Sequence, residues 1–315
     1  MVLRRVLQAD NMKEIIFLVG PTAVGKTAVS IYMAKMLRAE IISCDSMQVY
    51  KGMDIGTGKP TIFKQRQVRH YMIDVISPSR NFSVADFRKR ATGHIKTIEK
   101  KGKRVLFVGG TGLYMKALVD GLFPSPPADH ALRSQLLKEE KALGNAHLYK
   151  QLLKVDKASA KLLHPNDARR IIRALEVYTN TGTPMSVLKK KTKGLKSEYK
   201  ISLFCLNRDR REIYATIDTR VDYMFKQGLV AECKRLGKTR LSTTARKALG
   251  YREVFDYLAG KIGLNDAKEL IKKNTRNFAK RQLSWFRNDE RIKWVDIDNK
   301  NPKEIADILC KKSMM

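Results

Sequence analysis

The sequence predicts an α/β fold, a parallel sheet carrying an inserted, mainly helical domain. Three observations lead there. Short apolar runs end in glycine or beside aspartate, and helical spacing follows them. A phosphate-loop pattern sits between the first run and the first helix. A proline-rich break then opens a long segment with no strand character. Strands that alternate with helices pair in parallel through right-handed crossovers, with helices covering the sheet.

Residues 14–20 (EIIFLVG) read as a buried strand, because an unbroken apolar run leaves no face for water. Residues 27–37 have helical apolar spacing. Residues 40–44 (EIISC) give a second strand that ends at Asp45, and 104–108 (RVLFV) a third that ends at Gly109-Gly110-Thr111-Gly112. A helix follows from Leu113. The break is FPSPP at 123–127, and from 128 to about 188 the chain reads as helix throughout. KKKTK at 189–193 marks the exit as a solvated, basic loop, and 199–206 (YKISLFCL) resumes strand character. The expected division is a core of 1–124 and 199–315 around an insertion of 125–198.

Of 315 residues, 43% are hydrophobic, enough for a sizeable core. Lys and Arg number 63 against 31 acids, a formal charge of +32. The excess is spread evenly: +12 over residues 1–124, +9 over 125–200 and +11 over 201–315. An even spread suits a folded body that faces a large polyanion, nucleic acid above all. Cys44, Cys205, Cys233 and Cys310 have neither metal-ligand nor disulfide spacing. Arg4 and Arg5 precede no signal-peptide core, and no run is long enough to span a bilayer. The expectation is a cytoplasmic protein with no membrane partner.

GPTAVGKT (Gly20, Pro21, Thr22, Ala23, Val24, Gly25, Lys26, Thr27) matches the phosphate-loop pattern GxxxxGK[ST]. Its glycines let backbone N–H groups turn toward an anion at a helix N-terminus. Lys26 neutralises terminal oxygens, and Thr27 offers a hydroxyl to Mg²⁺. The motif specifies phosphate without specifying nucleotide. No apolar strand ends in the acid that supports metal and water in a nucleotide hydrolase. The acid at a strand end is Asp45, in DSMQVY. Ligands of open α/β sheets bind beyond the carboxyl ends of the strands, so the loop, Asp45 and Thr111 converge on one crevice. Asp45 could cap a helix, hold metal-bound water or take a proton; Thr111 could be a turn residue or a ligand.

A further set of segments occurs in order: GTGKP (56–60), GGTGLY (109–114), NDARRIIRALE (166–176), DTRVDYM (218–224), LGYRE (249–253) and NFAKRQLSWFR (277–287). His70 in QVRHYMID and FSVADF (82–87) also fit. With GPTAVGKT and DSMQVY, the set resembles the tRNA dimethylallyltransferase (tRNA isopentenyltransferase) family from about residue 14 to 290. The cysteine set of the zinc-finger extension that eukaryotic relatives can carry is missing.

The resemblance implies a nucleotide-kinase-like phosphate-loop core with a tRNA-binding insertion. Its substrates would be dimethylallyl diphosphate and the anticodon stem-loop of tRNA, its cofactor Mg²⁺ near Thr27, and its state a monomer. The dimethylallyl group would pass to N6 of the adenine 3′ to the anticodon. Asp45 would be the base, Thr111 would hold adenine or diphosphate, and Lys26 and Arg220 would stabilise the leaving diphosphate. By spacing alone, Arg220 could instead pair along its helix with Asp218 or Asp222. Contacts to tRNA would come from Asp45, Ser46, Met47, Gln48, Thr111, Arg133, Arg169, Arg170, Ile171, Ile172 and Arg173. Lys280, Arg281 and Gln282 would lie near the site in undefined roles, and Trp285 and Phe286 read as core. A nucleotide kinase explains the loop but leaves the charge idle, and a noncatalytic RNA-binding module leaves Asp45 idle.

Overall fold

Ile15, Ile16, Phe17, Leu18 and Val19 are all buried, so the strand they form has to be covered on both faces. In the computed structural model, which describes residues 13–124 and 126–314, that strand is β1 (Glu14–Val19). It lies inside a six-stranded sheet of order β3-β2-β4-β1-β5-β6. The other strands are β2 (Ala39–Ser43), β3 (His70–Tyr71), β4 (Arg104–Gly109), β5 (Lys200–Asn207) and β6 (Lys293–Asp296). Every pairing is parallel. The fold is thus the phosphate-loop α/β type that the sequence predicts. Arg4, Arg5 and residue 125 of the FPSPP break lie outside the described residues.

Alternation along the strands sorts side chains into two layers. Ile16 and Leu18 pack with helix α1 (Lys26–Met36) and with Ile305 and Leu309 near the C-terminus. Ile15, Phe17 and Val19 face the larger layer. There Phe17 stacks on Phe107 of β4, with ring centroids 4.6 Å apart. That layer is closed by α3 and α4 and, after the insertion, α10 to α14. Before the insertion come α2 (Ile62–Gln67), α3 (Val84–Lys100) and α4 (Gly112–Val119). The insertion supplies α5 (His130–Leu143), α6 (Asn145–Val155), α7 (Lys157–Lys161), α8 (Ala168–Thr181) and α9 (Met185–Lys190). Then come α10 (Arg210–Lys226), α11 (Leu229–Gly237), α12 (Thr243–Arg246), α13 (Tyr251–Leu258), α14 (Leu264–Arg287) and α15 (Pro302–Met314). Helix α2 takes no part in that layer, because it buries none of its residues.

Two units separate by their contacts, residues 1–119 with 195–315 and residues 120–194. The second begins and ends slightly earlier than the 125–198 read from composition. It has its own core of Leu136, Leu148, Leu152, Ile171, Ile172, Leu175 and Met185. Strands β3 and β6 were not anticipated. One has two residues and the other four, and neither carries an apolar run of its own. Among the described residues no helix is long and apolar enough to cross a membrane.

Candidate active site

The parallel register brings the carboxyl ends of β1, β2 and β4 side by side, and the three predicted segments leave from them. The phosphate loop follows β1. Gly20, Ala23 and Gly25 have φ values of 142°, 66° and 97°. For Ala23, which carries a Cβ, the left-handed backbone costs about 1–2 kcal/mol. The result is a loop of inward amides. The N–H groups of Ala23, Gly25, Lys26 and Thr27 meet no acceptor among the described residues. Together with the N-terminus of α1 they form a ready anion cradle.

Lys26 Nζ donates to the carbonyl oxygens of Gly20 (2.9 Å) and Pro21 (2.7 Å). Burial pushes its ammonium down to about 8; Asp45 and Cys205 pull it up, and Arg220 adds to the depression. Asp45 likewise opposes the loss of charge that burial imposes on the Arg220 guanidinium. One carboxylate therefore acts on two half-buried cations.

Asp45 itself sits in a turn. Its Oδ1 accepts from the N–H of Met47 (2.8 Å) and Gln48 (3.2 Å), which leaves Oδ2 without a hydrogen-bond partner among the described residues. Its structural and chemical readings thus fall on different oxygens. Thr111 holds the same turn from β4. Its Oγ1 accepts from Ser46 N–H (3.1 Å), and its own N–H donates to the Cys44 carbonyl (3.2 Å). The approach is close enough to require glycine at 109, where a Cβ would stand 2.1 Å from that carbonyl oxygen.

Gln282 of α14 acquires a definite place. Thr22 N–H donates to its Oε1 (2.8 Å), and its Nε2 donates to the Gly110 carbonyl (2.8 Å). It ties the phosphate loop to the segment carrying Thr111. Phe286 is core, as expected. Trp285 is not: it is 36% exposed and lies against Gly112, because Phe286 occupies the buried face of α14.

Arg220 does not pair along its helix. Asp218 pairs with Arg276, and Asp222 with Lys268 and Lys272. Arg220 instead turns to the phosphate loop, where Nη1 donates to Thr22 Oγ1 at 3.3 Å. Its guanidinium lies so tightly on Gly58 that a Cβ there would be 1.5 Å from Nη2. The loop carrying Gly58 is held by a residue that sequence reasoning missed. Buried Glu232 of α11 accepts from the N–H groups of Asp54 (3.0 Å), Ile55 (3.0 Å) and Gly56 (3.2 Å), and from the Tyr251 hydroxyl (2.7 Å). No motif marks a lone glutamate. The one signal was GTGKP itself, whose backbone needs an anion or a turn to satisfy it.

In the second unit, Glu176 is fully buried on α8 and collects two of the four predicted contact arginines. Arg133 grips it bidentately at 2.8 and 2.9 Å, and Arg173 donates to the same carboxylate. Burial opposes the charge, but these arginines hold the carboxyl below its ordinary range. Arg169 and Arg170 are exposed, with Arg170 paired to Asp167 at 3.3 Å. Ile171 and Ile172, expected among the contacts, bury their side chains in the unit's core, because they occupy the apolar stripe of the helix.

Among the described residues no three His, Cys, Asp or Glu side chains gather as a metal set. The crevice offers the Thr27 hydroxyl and the Asp45 carboxylate. Such a sparse oxygen set fits Mg²⁺, which is commonly held by one or two protein groups and the phosphates of its substrate.

Fold and sequence define the class: an enzyme of parallel α/β type with a phosphate-loop pattern after its first strand. A family model described as IPP transferase matches residues 48–289. The tRNA dimethylallyltransferase of Carboxydothermus hydrogenoformans is 46% identical over 94% of this chain and 96% of its own. That of Geotalea daltonii, numbered 2, is 43% identical over 92% and 90%. The crystal structure of the tRNA isopentenylpyrophosphate transferase from Bacillus halodurans superposes with a TM-score of 0.71, at 39% identity and 96% coverage of both chains. A eukaryotic dimethylallyltransferase, described in crystallographic snapshots as acting on tRNA, gives a TM-score of 0.76 at 28% identity, over 90% of this chain and 74% of its own. The chain belongs to the IPP transferase family, and within it to the tRNA dimethylallyltransferases.

Two outcomes follow from this geometry. An ammonium pushed down to about 8 holds an anion best below that pH, so affinity for the probe inorganic pyrophosphate is expected to fall as pH rises through it. Calorimetric titration from pH 7 to 9.5 reads this, and Lys26→Met removes the part of the dependence that exceeds the ionisation of pyrophosphate itself, along with most of the affinity. Glu232→Gln puts an amide donor against backbone donors and leaves N–H groups unpaired, at about 1–3 kcal/mol each. Thermal unfolding shows the loss, and pyrophosphate affinity falls with it as Arg220 loses its backing. A variant that is destabilised yet binds pyrophosphate normally would separate the loop from the site.

Proposed function

We propose that the chain transfers the dimethylallyl group of dimethylallyl diphosphate to N6 of the adenine immediately 3′ to the anticodon of tRNA. The observation that carries this reading is one cluster beyond the carboxyl ends of β1, β2 and β4. One carboxylate with a spare oxygen, Asp45, acts on two half-buried cations, Lys26 and Arg220, near a cradle of unpaired amides.

Diphosphate occupies the phosphate loop. As the allylic C–O bond breaks, negative charge grows on the leaving oxygens, and the loop amides, Lys26 and Arg220 stabilise it. These donors are fixed before the reaction, so little reorganisation is needed. Mg²⁺ beside Thr27 would neutralise further charge on the diphosphate. Adenine N6 is a weak nucleophile because its lone pair is delocalised into the ring. Asp45 Oδ2 accepts the N6–H bond and takes the proton as the new N–C bond forms. Its Oδ1 is held by two amides, so the carboxylate keeps its orientation while it does so. The Thr111 hydroxyl lies beside the same turn and orients the base.

The adenine must leave its stack to reach this crevice, at a cost of a few kcal/mol. Phosphate contacts compensate. Arg169, Arg170 and Arg173 on α8, with Arg133, supply them, and Glu176 presets two of the four guanidinium planes. Recognition falls on the anticodon stem-loop, the enzyme works as a monomer, and its compartment is the cytoplasm.

Asp45→Ala is expected to lower turnover at least about a hundredfold, the range of general-base loss, with tRNA affinity changed far less. Incubation with dimethylallyl diphosphate, Mg²⁺ and unmodified tRNA, followed by nucleoside mass analysis, measures it. No mass gain on tRNA with the wild-type enzyme would overturn the proposal, and ATP turnover instead would point to a kinase. Arg169→Ala with Arg173→Ala is expected to weaken tRNA binding and to reduce its log–log salt slope by about two. An unchanged slope in filter binding would place α8 away from phosphate.

A further inference from the structure

Helix α2 buries nothing, yet it begins with two large apolar side chains. Ile62 is 70% exposed and Phe63 74%. Its start is fixed by Lys59, whose enclosed ammonium donates to the Tyr50 carbonyl (2.5 Å), Asp54 Oδ1 (2.7 Å) and Asp74 Oδ1 (2.5 Å). Tyr50 ends the DSMQVY segment that Asp45 opens. The Thr61 hydroxyl then caps the helix by accepting from Lys64 N–H. Four residues span at most about 14 Å, so the Phe63 backbone stands within that reach of the Lys59 backbone, whose side chain is pinned to the end of the segment that Asp45 opens.

The surroundings are basic. No acid occurs from Lys59 to Ile73, while Lys64, Arg66 and Arg69 are exposed. The flanking acids, Asp54 and Asp74, are both engaged by Lys59. Lys35 of α1 donates to Gln67 Oε1 at 2.8 Å and joins the two helices into one surface. On α1 that surface adds exposed Tyr32, Met36 and Arg38, and no acid occurs from Lys26 to Ala39. A second copy of the chain would meet this patch with the same charge. An RNA strand supplies what both parts of it lack: anions for the cations, and flat apolar faces for the ring. Turning the reacting adenine out of its stack uncovers the faces of the bases that flanked it. An exposed aromatic ring reached by the bound RNA can cover one of them.

We propose that α2 is a contact site for the substrate RNA. Phe63, with Ile62 beside it, stacks on a base flanking the reacting adenine, and Lys64 and Arg66 take the adjoining phosphates. The inference rests on the function proposed above and adds to it a residue that reads the unstacked neighbour.

Fluorescence anisotropy with an unmodified anticodon stem-loop RNA tests it. Phe63→Ala is expected to weaken binding about tenfold and Phe63→Leu nearly as much, while Phe63→Trp stays near wild type. Because the ring is exposed, unfolding temperatures stay the same. On RNA made abasic at the stacked neighbour, wild type and Phe63→Ala bind alike. Phe63→Ala binding intact RNA as wild type does, or showing the same deficit on RNA made abasic at either neighbour, would overturn the stack. So would sedimentation showing a wild-type dimer that Phe63→Ala dissolves, or wild-type binding to anionic vesicles that Phe63→Ala loses. Wild-type protein that fails to bind RNA at all would sink the function itself and this inference with it.

Discussion

The arrangement depends on one side-chain amide. Gln282 accepts from Thr22 N–H and donates to the Gly110 carbonyl, so a residue from the last long helix fixes the spacing between two loops from the first half of the chain. Both groups are backbone, and loop backbone without a partner is expensive to bury. A buried amide with one donor and one acceptor engaged satisfies both at once. Gly110 has to lack a side chain for this, since a Cβ there would come within 2.2 Å of Gln282 Nε2. The phosphate loop and the segment carrying Thr111 are therefore tied together through one side chain.

Charge is handled by the same economy of fixed partners. Three carboxylates do separate jobs. Glu232 satisfies backbone amides, Glu176 holds guanidinium planes, and Asp45 stays available beside two cations. The protein carries a large positive excess, yet inside it the cations are assigned one by one. An arginine braced by buried glutamate keeps its geometry and loses some of its pull on a phosphate, a trade that favours orientation over raw attraction. Exposed Arg169 keeps the pull without the brace.

Much of the core was legible. The strands with unbroken apolar runs and the helices with clear spacing appear within a residue or two of their predicted bounds. The phosphate loop and Asp45 were legible because their chemistry is local: glycines at fixed spacing, and an acid at a strand end. Thr111 was half legible, as a turn hydroxyl whose partner could not be named. Glu232 was invisible, because it reaches Asp54, Ile55 and Gly56 from nearly 180 positions away and carries no pattern of its own. Trp285 misled for the opposite reason. Its size argues for burial, but helix periodicity gave the inner face to Phe286. Strands β3 and β6 escaped because edge strands this short have no period to read.

The position of β1 has a consequence for how the chain is made. Its neighbours are β4 and β5, and Glu14 is in register with Lys200, which is synthesised 186 residues later. At ribosomal rates of about 5–20 residues per second, one edge of the most apolar strand waits roughly ten to forty seconds for its cover. The whole insertion is translated in that interval, and its separate core lets it fold without waiting. The early strand is thus an open edge during synthesis, a point where pairing with a neighbouring nascent chain competes with pairing at home.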